Sequence, residues 1–151
     1  MTHVLILGAT SDIAQALAQK FAVQGCSLTL AARNSERLAE AVTDIEIRHN
    51  VQVEAVEFDA LQYESHASFY NNLTSKPDVA ICVFGYLGDQ KAAQSDFSEA
   101  KQIINSNYTG AVSILNIIAN DFEQRKSGSI IGISSVAGDR GPGVFTGRGR
   151  Q

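Results

Sequence analysis

Short apolar runs alternate with longer amphipathic stretches along most of the chain. Val4-Leu5-Ile6-Leu7 is continuously apolar and ends at Gly8. Residues 12–23 then set Ile13, Ala16, Leu17 and Phe21 at helical spacing, and Gly25 follows as a stop. Residues 27–32 read as a second strand. Asn34 or Ser35 is placed to cap a second helix running to about Arg48, with Leu38, Ala41, Val42 and Ile45 on one face. Residues 51–58 alternate with a period of two, which predicts a third strand with one wetter side. Residues 64–74 predict a weaker helix, stopped by Pro77. Residues 79–84 form a fourth apolar run. A long helix is predicted from about Ser98 to Arg125, carrying Ile103, Ile104, Val112, Leu115, Ile118 and Phe122. Residues 129–134 supply the fifth strand. Strands that are apolar on both sides and alternate with helices predict a parallel sheet covered on both faces. The class is α/β, an open doubly wound sheet ordered 3-2-1-4-5.

Composition narrows the functions open to such a fold. The 151 residues suit one domain, and 44% hydrophobic with 19% charged residues is globular rather than disordered. A net charge of −4 gives no basic field for nucleic acid, although the last dozen residues are locally basic. No apolar run approaches the ~20 residues of a membrane span, and Met1 to Leu7 is too short and uncharged for a signal peptide. The expectation is a soluble, cytoplasmic chain without membrane or nucleic-acid partners. Cys26 and Cys82 read as reduced core thiols, and the three histidines lack the spacing of a metal site.

In a doubly wound sheet, ligands sit beyond the carboxyl ends of the strands, where the strand order reverses. The first such loop reads "GATSDIA", residues 8–14. Gly8 permits a tight turn; Thr10, Ser11 and Asp12 can cap the following helix, whose free N–H groups suit a pyrophosphate. A single glycine fits an ordinary capped turn equally well. The second strand ends Leu30-Ala31-Ala32-Arg33-Asn34. It carries an arginine where an acid would accept the ribose hydroxyls of NAD. A guanidinium there suits a 2′-phosphate, or is simply a solvated surface cation.

Together these stretches resemble the short-chain dehydrogenase/reductase family over residues 3 to about 141. "GATSDIA" is similar to the family's TGxxxGxG loop, with Gly8 on its first glycine. "AAR" with Arg33 resembles the NADP-preferring form, and "EFDA" places Asp59 on the acid beside the adenine. "CVFGYLG" lies where the family has NNAG, with Gly85 on its glycine. "NSNYTG" places Asn107 on the catalytic asparagine, and "GISSVAG" places Ser135 on the catalytic serine. The resemblance implies a Rossmann fold that binds NADP(H) through Gly8, Thr10, Ser11, Asp12, Ile13, Arg33, Asp59, Ala60, Phe84 and Gly85. It also implies hydride transfer with a small carbonyl or alcohol substrate, and a homo-oligomer formed through the 98–125 helix. Two departures stand out. Asp12 and Ala14 replace the second and third glycines, so Asp12 is expected to turn away and cap the helix. Cys82 and Val83 replace the two asparagines that brace the fourth strand.

The family's proton transfer needs Tyr-x-x-x-Lys, because an unperturbed tyrosine near pKa 10 is a poor base at neutral pH without the lysine. The tyrosine is expected where Arg148 stands, and none of Tyr63, Tyr70, Tyr86 and Tyr108 has a lysine four residues on. Residues 142–151, rich in glycine and arginine, lack both helical periodicity and family likeness. The expectation is a dinucleotide-binding domain over 1–141 followed by a non-family tail, without the family's final strands and helices. Such a chain is a reductase of doubtful activity or, alternatively, a non-catalytic NADP-binding or interaction module. A serine hydrolase is disfavoured, since Val136 breaks any G-x-S-x-G elbow and every histidine precedes the serines.

Overall fold

A five-stranded parallel sheet lies at the centre of the computed structural model, which describes residues 1–134. Its strands are β1 (His3–Leu7), β2 (Ser27–Ala32), β3 (Val53–Glu57), β4 (Val79–Cys82) and β5 (Ser129–Gly132), in the order β3-β2-β1-β4-β5. This is the expected doubly wound order. Ser135, the expected boundary at 141 and the 142–151 tail lie outside the described residues.

The continuous apolar run of β1 is explained by the pleat. Val4 and Ile6 enter the core on one face, and Leu5 and Leu7 enter the core on the other. All four are fully buried, at about 1.5–3 kcal/mol for each such side chain. The first face is covered by α1 (Asp12–Val23) and α2 (Ala39–His49), the second by α3 (His66–Asn71) and α6 (Gly110–Arg125).

The face of α1 differs from the expected one. Ala14, Ala18 and Ala22 form its buried row, whereas Ile13 is 56% exposed, Ala16 is exposed, and Leu17 and Phe21 are half-buried. A row of alanines has little side-chain bulk to hold the helix off the sheet, and the larger residues flank the contact. The cap of the second helical segment is also different. A 3-10 turn (Ser35–Leu38) precedes α2, and neither Asn34 nor Ser35 caps through its side chain. Glu57, at the end of β3, accepts from the backbone N–H of both residues instead, each at 2.9 Å.

The predicted 98–125 helix is segmented. It consists of α5 (Phe97–Ile104), a π-helical stretch (Asn105–Thr109) and α6. A separate α4 (Gln90–Ser95) precedes it, capped by the Asp89 carboxylate. Ile114, Ile118 and Phe122 of α6 are buried against the sheet, which accounts for much of the helix's apolar breadth. Ile104, Tyr108 and Val112 remain exposed at a spacing of four. The 64–74 helix is shorter than expected, a 3-10 turn (Tyr63–Ser65) followed by α3. β5 departs from the expected buried strand: Ile130 and Ile131 remain exposed, because no described element covers its outer edge.

Candidate cofactor site

The site lies where the sheet order reverses, between β1 and β4, at their carboxyl ends. The carbonyl of Leu7 accepts from the N–H groups of both Val83 and Phe84, at 2.8 and 3.1 Å. The carbonyl of Ala31 accepts from Gly8 and Ala9, at 2.8 and 3.1 Å. Gly8 is therefore pinched between two strands. Its φ of +89° lies in the left-handed region. A Cβ built there would stand 2.5 Å from the Phe84 nitrogen and 2.6 Å from its Cα, backbone that cannot swing aside. Gly8 is required for this backbone crossing as well as for the turn.

A cleft opens beyond that crossing. Gly8, Thr10, Ser11, Arg33, Asp59, Ala60, Phe84 and Gly85 all line it. The loops after β1, β2, β3 and β4 thus converge as the strand order requires. Ser11 caps α1, its hydroxyl accepting from the Ala14 N–H at 3.2 Å. Asp12 is not the cap: it lies exposed in the first helical turn, where its charge suits the positive end of the helix dipole. Neither Asp12 nor the exposed Ile13 lines the cleft.

Asp59 is held from two directions. Its carboxylate accepts from the Leu61 N–H at 2.9 Å, and its carbonyl is 2.9 Å from Nε2 of His66. A carbonyl can only accept, so Nε2 carries a proton, and Nδ1 lies 2.8 Å from the Ser113 hydroxyl. His66 is fully buried and stacks on Phe58, with ring centroids 5.0 Å apart. Close by, Gly110 opens α6: a Cβ there would stand 2.6 Å from the Ala60 carbonyl oxygen. Helix and loop therefore pack at backbone distance.

Asn107 lies in the π-helical stretch and does not line the cleft. Its Oδ1 accepts from the Tyr86 N–H at 2.5 Å and its Nδ2 donates to the Tyr86 carbonyl at 2.8 Å. Glu99 of α5 completes the strap, accepting from the Tyr86 hydroxyl and the Asp89 N–H, each at 2.9 Å. These contacts brace the loop that follows Cys82, the last residue of β4. Cys82 itself is buried, and desolvation pushes its thiol up to about 11, so it is no nucleophile at neutral pH. The expected serine at 135 lies outside the described residues.

Several lining residues escape a reading of the sequence: Asn34, Arg37, Leu61, Tyr86, Gln102 and Ser106. Arg37 had a legible signal, its spacing of four from Arg33. Gln102 and Ser106 reach the cleft through the docking of α5 and the π-helical stretch, which no local pattern announces.

A sequence model of the family described as short chain dehydrogenase matches residues 2–147. The chain belongs to that family. An uncharacterized oxidoreductase of Mycobacterium tuberculosis (strain ATCC 25618 / H37Rv) is 34% identical over 140 residues, covering 91% of this chain and 56% of the relative. A similar protein of Streptomyces coelicolor, also described as an uncharacterized oxidoreductase, is 34% identical over 91% of this chain and 55% of its own length. A short-chain dehydrogenase from Sphingobium yanoikuyae, solved in complex with NADPH, superposes with a TM-score of 0.78 at 25% identity. That match covers 93% of this chain and 56% of the other. NAD+-bound xylitol dehydrogenase shares the fold, with a TM-score of 0.82 at 24% identity over 93% of this chain and 55% of its own. The chain thus spans about half the length of the curated relatives it matches. No helix among its described residues is long and apolar enough to cross a membrane.

Gly8→Ala should cost about 2–4 kcal/mol, the sum of left-handed strain and backbone overlap at Phe84. Urea unfolding of the two proteins measures it. A loss below about 1 kcal/mol would show that the crossing yields without strain.

Proposed function

We propose that this chain forms the NADP(H)-binding part of an oxidoreductase that moves hydride between the nicotinamide and a carbonyl or alcohol of a small molecule. The observation that carries the reading is Arg33, which lines the cleft at the carboxyl end of β2. The carboxylate that reaches this turn, Glu57, is engaged with the Asn34 and Ser35 N–H groups. The donor set fits a phosphorylated dinucleotide. The first-turn N–H groups of α1, with Thr10 and Ser11, suit a pyrophosphate. The Asp59 carboxylate suits an adenine edge, and Ala32, Ala60 and Phe84 offer an apolar floor. The NADPH complex of the Sphingobium relative supports this reading, and the NAD+ complex of xylitol dehydrogenase does not argue against it, since Arg33 belongs to this chain's own turn.

When bound, the nicotinamide supplies or takes up the hydride. The chain's own residues hold and orient. Asn107 and Glu99 fix the loop from Phe84 to Asp89, and His66 fixes the loop at Asp59. Ser135 would hydrogen-bond the substrate oxygen. Tyr86 is a poor candidate for the missing proton donor and acceptor: its hydroxyl is donated to Glu99, and that bond holds its pKa above the ordinary tyrosine range.

Calorimetric titration tests the cofactor assignment. NADPH should bind more tightly than NADH, and Arg33→Asp should cost on the order of 1–3 kcal/mol for NADPH alone. Equal affinities in the parent chain would refute the reading. Turnover is the second measurement. With a panel of ketones, the chain should oxidise NADPH ~10²–10⁴-fold more slowly than the same chain joined to a segment bearing Tyr-x-x-x-Lys. Comparable rates would show that another residue supplies the proton.

A further inference from the structure

A polar ladder crosses three strands at the end of the sheet opposite the cleft. His3 opens β1, and the pleat puts its ring on the same face as Leu5 and Leu7. Nδ1 lies 2.7 Å from the Ser27 hydroxyl and Nε2 lies 2.8 Å from the Thr29 hydroxyl, both on β2. The Thr29 hydroxyl in turn lies 2.8 Å from Oε1 of Glu54 on β3. An ionised carboxylate only accepts, so Thr29 donates its one proton to Glu54 and accepts from Nε2. His3 is 8% exposed and Thr29 is fully buried, so the ladder runs through a face that is otherwise apolar.

The charges around the ring come from several elements. β2 brings hydroxyls alone, and β3 brings Glu54. The turn before β4 brings Asp78, whose carboxylate accepts from the His3 N–H at 2.8 Å. On α3 and α6, which cover this face, Tyr70 and Arg125 both donate to Asp121, at 2.7 and 3.0 Å. The Lys76 amine lies over the Tyr70 ring, 4.6 Å from its centre. The terminal amine belongs to the exposed Met1, two residues before His3. Burial outweighs the pull of Glu54 and Asp78, and holds the imidazole below the ordinary histidine range.

We infer that this ladder is an acid-sensitive latch: it fastens the amino ends of β1, β2 and β3 while His3 is neutral, and loosens when the ring takes up a proton. Protonation puts a charge where water is excluded and where both partners of the ring are hydroxyls rather than carboxylates. An unfolded chain takes up that proton near pH ~6.5, before the folded chain does. The stability contributed by neutral His3 is therefore complete above that pH and is lost as pH falls below it. Because the latch lies at the opposite end of β1 from Gly8, it stands or falls independently of the cofactor reading.

Urea unfolding of the parent and of His3→Gln, at intervals between about pH 7 and 5, tests the latch. Glutamine can still donate to Thr29 but takes up no proton. The parent's folding equilibrium constant should fall about three- to tenfold further than the variant's over that range, one proton accounting for at most about tenfold per pH unit. Equal pH dependence in the two proteins would overturn the latch. NMR titration of the His3 ring in the parent needs no variant. Its midpoint should lie below the ordinary value of about 6.5, and a midpoint at or above that value would also overturn the inference. Glu54→Gln should move the midpoint lower still, since it removes a charge that favours the imidazolium. A midpoint that stays or rises would overturn the part given to Glu54.

Discussion

The approach of Gly8 to the backbone of Phe84 is the constraint on which the site depends. β1 and β4 are neighbours whose following loops diverge to opposite faces, so the chain must cross itself where both end. The Leu7 carbonyl fastens that crossing by accepting from Val83 and Phe84 at once. Only a residue without a Cβ fits, since even the first carbon of a side chain would meet Phe84 backbone at 2.5 Å. The cleft exists because the crossing is tight: it brings the first turn of α1 and the loop after β4 to one mouth.

Around this crossing, the loops are fixed by single polar side chains reaching from distant elements. Glu57 holds the turn after β2, His66 holds the loop after β3, and Asn107 with Glu99 holds the loop after β4. Each takes up backbone groups that a loop at a sheet's end cannot pair with itself, at a net value of about 0.5–1.5 kcal/mol per bond between neutral groups. The π-helical stretch belongs to the same arrangement. Its Asn105 carbonyl accepts from the Gly110 N–H and from the Tyr63 hydroxyl, and the wider turn carries Asn107, the partner of Tyr86. The cleft is therefore shaped before any ligand enters it.

The order of the strands was legible because β1, β2 and β4 are short apolar runs between amphipathic stretches, a pattern that only a sheet covered on both faces rewards. Eight of the ten expected cofactor residues line one cleft for the same reason: in a parallel sheet, everything just after a strand shares an end. What escaped depends on contacts distant in sequence. Glu57 lies 22 and 23 residues from the groups it caps, and His66 lies 47 from Ser113. In α1, closeness of approach to the sheet rather than side-chain size selects the buried face. Here the alanine row faces the sheet, and Ile13 faces outward. The segmentation at residues 105–109 left no trace in the apolar spacing, since a π turn shifts the register by one residue without changing which residues are apolar.

The central claim is that a dinucleotide occupies the end of this sheet where four loops converge. The most direct measurement is an NMR titration of the isotopically labelled chain with NADP, following backbone amides. Saturable shifts should fall on residues 8–13, 33–37, 59–61 and 83–86 together. Absence of saturable shifts, or shifts gathered instead at the shallow depression between β3 and α3 around Gln62, Ser65 and Asn72, would contradict the account.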